Sequence, residues 1–240
     1  MTAAAVTNAE FRTCPVTGRQ IHLPAESLVK ANAVVSVVAL LVGAIAAILL
    51  VLTRWQAVHL LPAEWFYRVL TAHGMSMLIF FIIFFEMAVL HFASTALLNA
   101  RVVAPRLSWA AFGLMAGGAL LTEVIIWSGK ADVLFTSYVP LRAHPLYYLG
   151  IIFFAVGALV VTCVFFANLV VAKRERRYEG SLPLVVYGAM TAAVIAVITL
   201  LHGAAIYVPT FLWSLGLMKV DPEVYRLIWW ALGHSSQQIN

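Results

Sequence analysis

The chain alternates long apolar stretches with short polar segments. Five stretches run roughly from Ala31 to Thr53, Val69 to Leu98, Leu107 to Trp127, Leu146 to Ala172 and Leu184 to Leu212. Each supplies the ~20 residues a helix needs to cross the apolar core of a bilayer. A sixth stretch opens near Tyr225 and reaches Asn240 after 16 positions, about 24 Å of helix at the standard rise. A helix ending there would stop inside the membrane with its last carbonyls unsatisfied. The pattern therefore predicts an all-α membrane protein, a bundle of five full transmembrane helices plus a truncated sixth, forming the N-terminal part of a longer polypeptide. Residues 1–28 form a polar leader carrying Glu10, Arg12, Pro15, Arg19 and Glu26, with no apolar core of a cleaved signal. Residues 29–240 carry the helices.

Composition agrees with this reading. The 240 residues are 63% hydrophobic and 10% charged, with a mean hydropathy of +0.97, whereas soluble chains carry about 25% charge. That excludes a cytosolic globular enzyme, a disordered tail and a DNA-binding module. The net charge of +5 would suit nucleic acid if it were clustered on a soluble surface. Here the basic residues sit between apolar runs, so the partner is the lipid bilayer and not nucleic acid. With the N-terminus cytoplasmic, nine Lys and Arg fall in inner segments and six in outer ones, and the dense run Lys173-Arg-Glu-Arg-Arg177 follows the fourth stretch. Cys14 and Cys163 give neither a disulfide framework nor metal-ligand spacing.

Titratable side chains inside apolar spans cost about 2.5–3.5 kcal/mol on insertion scales, so each is a functional candidate. The chain places His73, Glu86 and His91 in the second stretch, Glu123 in the third, Asn168 in the fourth, His202 in the fifth and His234 in the sixth. His73 lies a few residues below the outer face. His234 lies nine residues after Tyr225, about 14 Å down, so two imidazoles reach similar depths in the outer half. Gly74 and Gly233 beside them leave room for a flat ring. At 100° per residue Glu86 sits about 220° from His73 and points away from its face, toward span 1, span 3 or a second subunit. Glu86 and Glu123 are candidates for proton transfer, with snorkelling at the span end the plainer role for Glu123. His91 returns to the His73 face about 27 Å deeper, at the interface. His202 and Tyr207 are candidates for packing or for contact with a metal site.

The segment Leu70-Thr-Ala-His-Gly-Met-Ser-Met77 resembles the second helix of the heme-copper oxidase catalytic subunit, and Trp229-Trp-Ala-Leu-Gly-His-Ser-Ser-Gln-Gln238 resembles the start of its sixth. The resemblance implies a domain of about twelve helices, of which this chain holds six, in a bacterial cytoplasmic (inner) membrane. It assigns His73 as axial ligand of a low-spin heme. His234 becomes the first ligand of a non-heme metal, copper with iron as the alternative, beside a high-spin heme. It further implies an electron donor of the cytochrome c or cupredoxin type and a second membrane-anchored subunit.

In oxygen-reducing branches similar to this chain around helix 6, a tyrosine stands four residues after the metal-binding histidine. Here the position is Gln238, which hydrogen-bonds but supplies no electron. The resemblance then implies a terminal respiratory reductase that converts nitric oxide to nitrous oxide, with oxygen reduction to water as the alternative. One oxidase branch takes its tyrosine from a later helix. A proton-coupled channel or transporter is the reading from another class, and transporters characteristically show broken helices. Apart from Pro183 and Pro209 at the ends of the fifth stretch, nothing in the sequence breaks the spans.

Overall fold

A computed structural model describes residues 10–236. Five helices are long and apolar enough to cross a membrane: α1 (Leu23–Arg54), α2 (Ala63–Leu98), α3 (Pro105–Trp127), α4 (Pro145–Arg174) and α5 (Leu184–Ser214). A shorter α6 spans Pro222–Ser236. Prolines set three of the starts, because their missing N–H costs nothing in a first turn: Pro24, Pro105 and Pro145 stand there in α1, α3 and α4. At α6 the Asp221 carboxylate accepts from the N–H groups of Glu223 (2.9 Å) and Val224 (3.0 Å), satisfying two donors that a helix start leaves free.

The second span is continuous over Ala63–Leu98, as expected, but not regular. Met75–Phe81 of α2 is wound as a π-helix, whose wider turns displace carbonyls from the regular ladder. Ser36 of α1 donates to the Phe81 carbonyl at 2.9 Å, supplying a partner where lipid has none. A Cβ at Gly43 of α1 would collide with the Met77 side chain, so the missing side chain lets α1 lie against this wide segment.

Helices α3 and α4 meet through small residues. A Cβ on Gly118 would come within 2.5 Å of the Gly150 carbonyl, and one on Gly157 within 2.6 Å of the Ala111 carbonyl. Close approach of this kind replaces the hydrophobic driving force that lipid does not supply between helices. By contrast α1 turns Val34, Val37, Leu41, Ile45 and Ile48 outward and buries Asn32, Ser36, Gly43 and Ala46, a face for lipid and a face for the bundle.

The polar leader folds as well. Phe11–Thr13 (β1) pairs antiparallel with Gln20–His22 (β2), and the turn passes through Gly18 at φ +70°, a backbone that favours glycine. The hairpin is tied to the helix ends. Arg12 meets both oxygens of Glu26 at 2.8 Å, Arg19 donates to the Leu97 carbonyl at 2.7 Å, and the Gln20 N–H donates to the Asn99 side chain at 3.0 Å.

Candidate functional site

His73 stands two residues before the π-helical stretch and is half-buried. Its Nδ1 lies 2.9 Å from the Gly43 carbonyl. A carbonyl only accepts, so in the neutral ring Nδ1 carries the hydrogen and Nε2 keeps its lone pair. The same arrangement holds metal-ligating imidazoles in place, one nitrogen anchored and the other free to ligate. The anchor exists because Gly43 brings the α1 backbone close to α2.

Two expectations about small residues are corrected. The space over Gly74 is filled by Phe135, whose Cβ would lie 2.8 Å from a Cβ at that position. The space over Gly233 is filled by the Trp229 indole, one turn earlier in α6, at 2.6 Å. Phe135 also meets the Trp229 ring at 5.6 Å between centroids. It therefore bridges the helix that carries His73 and the helix that carries His234, a role the sequence did not reveal because Phe135 belongs to an irregular loop without periodicity.

His234 projects from the exposed side of α6, while Gly233 and Ser236 line a groove of about 180 Å³ bounded by α2, α4, α5 and α6. Next to it Ser235 lies 2.9 Å from the Thr199 hydroxyl of α5 and donates back to the Ala231 carbonyl at 2.7 Å. Among the described residues no three His, Cys, Asp or Glu side chains gather as a metal cage, so His234 can contribute one ligand only. Gln238 lies outside the described residues.

Glu86 faces a different neighbourhood from the one expected. It lines the groove with residues of α4, α5 and α6, not the side of α1 or α3. The reason is the π-helical stretch, since one extra residue in the winding shifts every later azimuth by about 100°. The residue is 7% exposed and its Oε1 has no hydrogen-bond partner among the described residues. Glu123, in contrast, is fixed. It accepts from Ser76 of α2 at 2.8 Å and from the Trp127 indole at 2.9 Å, tying α3 to the helix that carries His73.

The other candidates are placed apart from the groove or on its wall. Tyr207 is buried and lines it. His202 does not reach it: the ring is half-buried and its Nδ1 donates to Ile198 of its own helix at 2.9 Å. His91 is 1% exposed, deeper than an interfacial position suggests, with Nε2 unpartnered among the described residues. Asn168 is structural, accepting from the Val103 N–H at 2.8 Å and donating to Ser94 at 3.0 Å. Phe80 and Phe84 pack edge-on against Phe154 at 5.0 and 5.5 Å, joining α2 to α4.

The profile of the family described as Cytochrome C and Quinol oxidase polypeptide I matches residues 27–239. The chain belongs to that family. The "Cytochrome c oxidase subunit 1" of Thermus thermophilus is 29% identical over 187 residues, 73% of this chain and 32% of the relative. A heme-copper terminal oxidase dimer solved by cryo-electron microscopy shares the fold, with a TM-score of 0.82 and 24% identity over 90% of this chain and 38% of its own. The chain thus spans about a third of the length of these relatives.

Proposed function

We propose that the chain supplies one half of the redox centre of a terminal respiratory reductase, with His73 as an axial ligand of a low-spin heme and His234 as one ligand of a non-heme metal beside a high-spin heme. The observation that carries the reading is the 2.9 Å bond from His73 Nδ1 to the Gly43 carbonyl, which leaves Nε2 available as a donor atom. When bound, the heme groups and the metal supply one-electron transfer and the site where a small gas is reduced. The residues of this chain orient and enclose. Gly43 fixes the His73 ring, Phe135 and Trp229 fill the space between the two histidine-bearing helices, and Thr199 and Ser235 pin α6 to α5 beside His234.

The leading acceptor is nitric oxide, supported by Gln238 in place of a tyrosine. Oxygen is the second reading, favoured by the names of the oxidase relatives. The electron donor is of the cytochrome c or cupredoxin type, a second membrane-anchored subunit completes the complex, and the location is a bacterial cytoplasmic membrane. An absorption spectrum of the purified full-length protein tests the class: a low-spin and a high-spin heme signal are expected, and a heme-free, fully folded preparation would leave the transporter reading in place.

A further inference from the structure

We propose that Glu86 is the carboxyl that passes protons into the groove beside α6, with the Thr199–Ser235 hydroxyl pair, which joins α5 to α6, as the next carrier. The inference rests on the reductase reading above, since reduction of either gas consumes protons as well as electrons.

Glu86 is a buried carboxyl with an unpartnered oxygen on the wall of an otherwise apolar groove. A charged carboxylate in that position costs several kcal/mol without a partner, and among the described residues no Lys or Arg lines the groove. The acid form carries one O–H donor, and the polar acceptors on the same wall are the hydroxyls of Thr199, Tyr207 and Ser236. Levels match. Glu86 lies 12 residues from the Leu98 end of α2 and Thr199 lies 15 residues from the Leu184 end of α5, about 18 and 22 Å from the face of the membrane that carries the N-terminus. The two groups are therefore within about a turn of one another in height. Thr199 and Ser235 are 2.9 Å apart, so the hydroxyl on the groove wall is joined to a second hydroxyl on α6. A cavity of about 180 Å³ has room for several waters between the carboxyl and the hydroxyls. In each cycle the acid gives its proton toward Thr199 and is reprotonated from the membrane face that carries the N-terminus, so no net charge stays on the carboxyl.

The test uses the full-length enzyme in vesicles, reduced by its donor and mixed with the gas, with heme absorbance and a pH-indicating dye followed together. Glu86→Gln is expected to leave both heme spectra intact and slow proton uptake about a hundredfold, the lower range of what a positioned proton donor contributes. Glu86→Asp, which keeps the acid, should recover a large part of the rate. An infrared difference spectrum should show a carboxylic-acid band that is lost in Glu86→Gln. Normal proton uptake in a heme-replete Glu86→Gln overturns the proposal and leaves the reductase reading intact. Should Glu86→Gln fail to assemble, Thr199→Val decides: slowed uptake with unchanged spectra supports the route, and unchanged uptake overturns it. A wild-type preparation without heme would instead remove the reading on which the route rests.

Discussion

A neutral imidazole has one nitrogen that donates and one that accepts, and at His73 the partner decides which is which. Because Gly43 offers a carbonyl at 2.9 Å, the ring presents Nε2 as its free electron pair. His73→Ala in the full-length enzyme should abolish the low-spin heme band while the high-spin signal persists; a low-spin band of normal intensity would refute the ligand assignment. His234→Ala should keep both hemes and lose the non-heme metal together with turnover, and full metal content in that variant, measured by elemental analysis, would sink the assignment. Away from the membrane, the polar groups of Thr17 and Val16 around the Cys14 thiol favour its charged form and hold its pKa down at about 7. A lowered pKa means thiolate at neutral pH, so alkylation of Cys14 should rise steeply as pH climbs through about 7. Histidines and carboxylates in apolar spans announce themselves in a sequence. Their directions do not: the face of Glu86 depends on a π-helical turn that no periodicity in Met75–Phe81 betrays.

At the scale of helices, apolar length alone located all five long spans, because in lipid a helix is the main way to satisfy every backbone group. The apolar run alone places the sixth helix near Tyr225, whereas it starts at Pro222, capped by Asp221. The hairpin of the leader was not legible, since two three-residue strands are too short for a pattern and are held mainly by distant partners such as Leu97 and Asn99. The α3–α4 seam is equally silent in sequence, where glycine reads as flexibility and not as contact. Gly150 abuts the Gly118 carbonyl at 2.7 Å for an added Cβ, whereas Gly113 meets nothing within 4 Å. Gly150→Val should therefore destabilise the protein in detergent by about 1–3 kcal/mol, the usual cost of overpacking, while Gly113→Ala leaves the midpoint unchanged. Equal midpoints for the two variants would show that the seam tolerates separation.

For the whole molecule the open choice is the gas. Splitting the bond of oxygen takes four electrons and four protons, and an oxidisable side chain near the metal can lend one electron at the critical moment. Coupling two nitric oxide molecules to nitrous oxide and water takes two electrons, one each from a reduced heme and a reduced metal, and two protons that come from water. A glutamine amide has donors and an acceptor but no accessible one-electron oxidation. Gln238 therefore suits the second reaction. Tyr207 lines the groove with Trp229 and Trp230 and, as the tyrosine among these oxidisable side chains, is the first to test for the missing role if oxygen is the acceptor. With one electron donor at matched concentration and saturating gas, the full-length enzyme should turn over nitric oxide faster than oxygen, with nitrous oxide as the product measured by gas chromatography. Rapid four-electron oxygen reduction with negligible nitrous oxide would reverse the assignment. In that event Tyr207→Phe should slow oxygen reduction while leaving both heme spectra unchanged.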